Sequence, residues 1–95
     1  MRNYELMFII KPDLEEEATA ALVDKYTNLI TEQGGTVANV DKWGKRRLAY
    51  EVGGYNDGYY VIVNFQAEPQ ASKEVERVLK ISDDVIKHMV IKLDD

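Results

Sequence analysis

Tyr4, Leu6, Phe8 and Ile10 alternate with Asn3, Glu5, Met7 and Ile9, a period of two that predicts a strand over Arg2–Ile10. Lys11-Pro12-Asp13 ends it, because proline cannot donate to a strand ladder. Asp13 is then the predicted N-cap of a helix, with Glu16 at capping-box spacing and Glu15 to Glu17 suited to the positive end of the helix dipole. Leu22, Tyr26, Leu29, Ile30 and Gln33 follow helical spacing, and Gly34-Gly35 terminates the helix. Residues 36–52 read as extended, with a bulge or bend expected at Trp43-Gly44. Gly53 to Gly58, "GGYNDG", reads as a loop with hairpin chemistry. Tyr59 to Ala67 is rich in β-branched and aromatic residues and predicts a strand that Glu68-Pro69 breaks. Ser72 is the predicted N-cap of a second helix carrying Val75, Val78 and Leu79. Ser82-Asp83-Asp84 makes a turn into a last strand over 85–93.

The predicted order is β-α-β-β-α-β. That is the split βαβ, ferredoxin-like α+β arrangement, a four-stranded antiparallel sheet with both helices on one face. Length agrees, since 95 residues hold one core and one domain, 1–95. With Leu6, Phe8 and Ile10 facing the helices, and Tyr59, Val61, Val63 and Phe65 beside them, His88 and Val90 point inward. The helix-free face then gathers Met7, Ile9, Tyr60, Ile62, Met89 and Ile91. A solvated sheet face normally alternates apolar with polar residues. An aliphatic centre there predicts a surface for a protein partner, while single exposed aliphatics are common enough to need no partner at all.

Charge changes the picture next. The chain carries 12 Lys plus Arg against 17 Asp plus Glu, a formal net charge of -5. That balance argues against non-specific binding to nucleic acid or anionic lipid. Yet Lys42, Lys45, Arg46 and Arg47 crowd around the predicted bend in "DKWGKRRLAY". Such a cluster neutralises phosphates and releases counterions, or it guards a sheet edge against strand pairing. On a chain this acidic, tight RNA binding by the cluster alone is not expected, and a site shared with a more basic partner reconciles the two facts.

Catalytic chemistry finds no such support. His88 is the only histidine, and no cysteine is present, so no thiolate metal site, Cys nucleophile or disulfide is expected. Ser72 and Ser82 lack a nucleophile elbow, and Asp83-Asp84 and Asp94-Asp95 read as a turn and a solvated tail. "GGYNDG" lacks the lysine and the strand-to-helix setting of a phosphate-cradling loop. "NDGYYVIVNF" offers only Gly58 and Tyr59 toward the aromatic signature of an RNA-recognition module. No metal, cofactor or small-molecule substrate is expected. The start has no signal-peptide cleavage site, no apolar run reaches the length of a membrane span, and the absence of cysteine fits the cytoplasm.

"MRNYELMFIIKPDL", "GKRRLAYEV", "DGYYVIVNF" and "VIKHMVIK" together resemble the bacterial small-subunit (30S) ribosomal protein S six family, over essentially the whole chain. The most specific piece is Gly44-Lys45-Arg46-Arg47-Leu48-Ala49-Tyr50, with Val52 and Gly53 looser matches. The resemblance implies a cytoplasmic ribosomal component that binds small-subunit (16S) ribosomal RNA together with ribosomal protein S eighteen during assembly. It makes the sheet-face residues candidates for the protein partner. Lys42, Lys45, Arg46 and Arg47 become candidates for RNA, joined by Arg2 and Lys92 near the ends of neighbouring strands. The rival readings are a small-molecule regulatory module on the same scaffold and a homo-oligomer that covers the face with itself.

Overall fold

A computed structural model describes residues 1–93; the predicted tail at Asp94-Asp95 lies outside the described residues. The order is β1 (Arg2–Ile10), α1 (Glu16–Glu32), β2 (Thr36–Val52), β3 (Tyr55–Ala67), α2 (Pro69–Ile81) and β4 (Val85–Lys92). All pairings are antiparallel, in the spatial order β2-β3-β1-β4. The ferredoxin-like architecture is as expected, with the two helices packed on one side of the sheet.

The core forms where the inward rows of the sheet meet the helices. Tyr4, Leu6, Phe8 and Ile10 stand opposite Phe65, Val63, Val61 and Tyr59, and Val23, Tyr26 and Ile30 of α1 with Val75 and Leu79 of α2 close over them. Each such aliphatic side chain contributes roughly 1.5–3 kcal/mol by leaving water. The aromatics are fitted rather than merely buried. Phe8 and Tyr26 meet edge to face at 5.4 Å, and Tyr4 stacks on Phe65 at 5.3 Å.

Both helices begin differently from the sequence expectation. The N-cap of α1 is Glu15, with no side-chain capping bond, so Asp13 caps nothing. Glu16 and Glu17 still occupy the first turn, where the dipole favours them. Helix α2 starts at Pro69, three residues before Ser72. Proline suits a first helical position because its missing N–H would have no partner there, and Ser72 becomes a buried helical residue.

The predicted six-residue loop is a two-residue turn. Gly53 and Gly54, at φ 57° and 85°, form the tight turn that positive φ at both positions allows. Tyr55 to Gly58 therefore belong to β3. With 17 and 13 residues, β2 and β3 outreach the 9 and 8 of β1 and β4. The surplus hairpin crosses the helix-free face toward the opposite edge. There the Lys87 ammonium Nζ donates to Tyr50 Oη at 3.2 Å, and Gly53 lies against Ile86.

Candidate nucleic-acid interface

The expected irregularity at Trp43-Gly44 is a β-bulge. Lys42 stands opposite Val61 and Gly44 opposite Tyr60, so Trp43 is an extra residue in β2. Gly44 takes φ 83°, a conformation that costs other L-residues roughly 1–2 kcal/mol. One inserted residue shifts the side-chain parity of everything after it.

That shift decides where the cations go. Lys45, opposite Tyr59, has the same facing as Lys42, and both line a cleft of about 390 Å³ with Leu14, Glu16 and Thr19 at the start of α1. Arg46, opposite Gly58, turns to the helix-free face with Trp43. Its guanidinium sits 5.9 Å from the Trp43 ring centroid, and Trp43 stacks on Tyr60 at 6.1 Å with 17° between planes. The Trp43 indole Nε1 donates to Asp41 Oδ2 at 2.9 Å, which orients the ring. Arg47, opposite Asp57, lies beyond the end of β1. The four cations are therefore exposed along one edge strand but divided between its two faces.

Arg2 and Lys92 do not join them. Arg2 pairs with Ala67 and Lys92 with Tyr4, whereas the basic segment lies level with Phe8 and Ile10. Arg2 and Ile10 are eight steps apart along β1, roughly 26 Å at the rise of a strand. Arg2 and Lys92 are exposed, at the other end of the sheet.

The helix-free face is organised in rows. Met89, Met7, Ile62 and Asp41 form one, and Ile91, Glu5, Asn64 and Asn39 the next. The Asn64 amide donates to Glu5 Oε2 at 3.3 Å, giving the second row a polar middle. Met89 and Ile91 are 45% and 42% exposed, while Met7, Ile62 and Tyr60 are half-buried. Ile9 departs from the expected patch. It lies on this face but is 2% exposed, sealed by Gly58 and the hairpin residues Leu48 and Tyr50. Its side chain offers no surface to a partner and belongs to a small second core.

His88 is half-buried on the helix side, opposite Phe8. Among the described residues no group of three His, Cys, Asp or Glu side chains is placed to hold a metal ion. Among the same residues no helix is long and apolar enough to cross a membrane. Sequence reasoning missed Asp41 and the pairing of Trp43 with Tyr60. The aromatic-next-to-cation pattern "WGKRR" was a visible signal, but its partner came from a strand pairing.

The family model described as Ribosomal protein S6 matches residues 3–92. Small ribosomal subunit protein bS6 of Moorella thermoacetica is 59% identical over 95 residues, covering 100% of this chain and 97% of that protein. The same protein of Desulforamulus reducens is 53% identical over 92 residues, covering 97% of each. The crystal structure of 30S ribosomal protein S6 from Thermotoga maritima superposes with a TM-score of 0.92 at 32% identity, covering 96% of this chain and 86% of that one. An uncharacterized protein of Thermotoga maritima, 14% identical with a TM-score of 0.64, shares the fold alone. With fold, signature segment and length in agreement, this chain belongs to the ribosomal protein S6 family.

Proposed function

We propose that this chain binds small-subunit ribosomal RNA jointly with ribosomal protein S eighteen, as a non-catalytic part of the small subunit. The observation that carries the reading is the juxtaposition of two surfaces at one sheet edge. An exposed basic segment, Lys42 to Arg47, adjoins a helix-free face whose central row is Met89, Met7 and Ile62. The basic segment suits phosphates, since each one neutralised releases counterions. The aliphatic row suits a protein, because nucleobases stack on aromatics rather than on aliphatic chains. A net charge of -5 makes the two surfaces interdependent. The cations alone hold RNA weakly, and a basic partner seated on the aliphatic row extends the positive surface. Family membership and the names of the relatives, small-subunit proteins, support the same reading.

The test is RNA affinity with and without the partner. A small-subunit rRNA fragment should bind this chain weakly alone and at least tenfold more tightly once S eighteen is added. Equal affinity in the two conditions removes the joint mechanism.

A further inference from the structure

The aliphatic face and the basic segment meet at one corner, and that corner has a chemistry of its own. Trp43 is the only tryptophan in the sequence, and it stands 48% exposed at the bulge of an edge strand. It is nevertheless held on several sides. Tyr60 stacks on it at 6.1 Å, the Arg46 guanidinium lies 5.9 Å from its centroid, and Asp41 Oδ2 accepts its Nε1 proton at 2.9 Å. Burial does not require such fixing; recognition of a planar ligand does, because a pre-set ring loses little rotamer freedom on binding.

An open cleft of about 490 Å³ is lined by Trp43, Arg46 and Tyr60, two aromatic rings and a guanidinium with no aliphatic side chain among them. We propose that this cleft takes one unpaired nucleobase of the bound RNA, stacked on the Trp43–Tyr60 pair with its phosphate at Arg46. The inference rests on the RNA-binding reading above and adds the ligand class of one site to it. The base is unpaired, since bases inside an A-form helix keep their faces against their neighbours and only splayed ones reach aromatic side chains. The Arg46 guanidinium attracts a phosphate and repels an incoming Lys or Arg, while the Asp41 carboxylate beside it is engaged by the indole N–H. An aliphatic side chain finds its matching surface on the Met7–Ile62–Met89 row instead.

Trp43 is its own reporter. The full chain is mixed with S eighteen and then titrated with a small-subunit rRNA fragment, following Trp43 emission as the difference between wild type and Trp43→Phe. Emission is expected to hold level when the protein is added and to fall when RNA is added. Trp43→Ala should weaken RNA binding by roughly 5- to 150-fold, the range of one lost base stack. Its salt slope should not change, because every phosphate keeps its cation. Trp43→Phe should retain most of the affinity, and Arg46→Gln should lower the salt slope by about one. Unchanged emission on RNA binding, or wild-type affinity in Trp43→Ala, overturns the nucleobase site and leaves joint RNA binding standing. A fall in emission on adding S eighteen, with none on adding RNA, gives the cleft to the protein and also overturns it. No RNA binding by the wild-type pair of proteins removes the underlying reading and the site with it.

Discussion

Ile9 and Gly58 meet on the helix-free face with no room between them for a Cβ at position 58. Gly58 does not adopt a positive φ, so packing alone demands glycine there. Gly58→Ala is expected to cost roughly 1–3 kcal/mol, the usual range for overpacking. Urea unfolding should show it as a lower midpoint with an unchanged slope. In an Ile9→Ala background, which removes the Cγ2 methyl that the new Cβ would meet, the same substitution should cost less, and strictly additive effects would mean that the two positions do not touch.

Burial divides the helix-free face into residues that serve the fold and residues left for a partner. Ile9→Ala is expected to cost about 2–5 kcal/mol, as in any filled core. Met7→Glu and Ile62→Glu, at half-buried positions, should leave a folded chain that no longer pairs with S eighteen. Circular dichroism and a pull-down on the same samples separate these outcomes. If Met7→Glu pairs normally, that row does not hold the protein partner; if it unfolds the chain, Met7 serves the fold.

The bulge makes the two faces of the basic segment separately testable. Arg46→Glu combined with Arg47→Glu should weaken the complex with RNA and S eighteen, and reduce the salt slope by about one for each phosphate no longer neutralised. Lys42→Gln combined with Lys45→Gln alters the wall beside α1 instead. Equal losses from both pairs would mean that RNA wraps the strand edge. A loss from Arg46→Glu alone, with the lysine pair neutral, would confine it to the helix-free side, where Arg46 but not its neighbour Arg47 points.

Alkaline pH tests the junction of β1 with β4. Lys11 Nζ lies 3.2 Å from Asp84 Oδ1, and the Lys11 amide donates to the Asp84 carbonyl at 2.9 Å. The side-chain hydrogen bond to Asp84, opposed by desolvation, raises the Lys11 pKa above its ordinary 10.5. A raised folded-state value contributes stability that is fully present below the unfolded value and is lost as pH rises through the folded one. The difference in Tm between wild type and Lys11→Met should therefore stay constant near neutral pH and close above pH 10.5. Should it widen there instead, Lys11 acts through something other than this pair.

Periodicity made the β-α-β-β-α-β order legible, and it placed both ends of β2 and its bulge correctly. What it missed has physical causes. "GGYNDG" holds turn chemistry throughout, and only strand pairing selects Gly53-Gly54 as the turn. Asp13 and Ser72 are good capping residues, but backbone geometry places the caps at Glu15 and Glu68. Ile9 alternates like a surface residue, and a hairpin distant in sequence covers it. The site was half legible. The cations and Trp43 stood out as a cluster, but their division between faces depends on one extra residue whose register no local pattern reports. Arg2 and Lys92 do lie near the ends of neighbouring strands, and only the strand pairing shows that this is the far end of the sheet from the cluster.

The hydrogen bond from Lys87 to Tyr50 has a consequence for the shape of the sheet. It ties residues of the two outermost strands, β4 and β2, at one end only. That end resembles a barrel drawn partly shut, while the Arg2 and Thr36 end stays splayed. Closure is what removes free strand edges. The tie joins side chains only, so it narrows access to the two edges at the hairpin end and leaves β2 and β4 as the edge strands of the sheet.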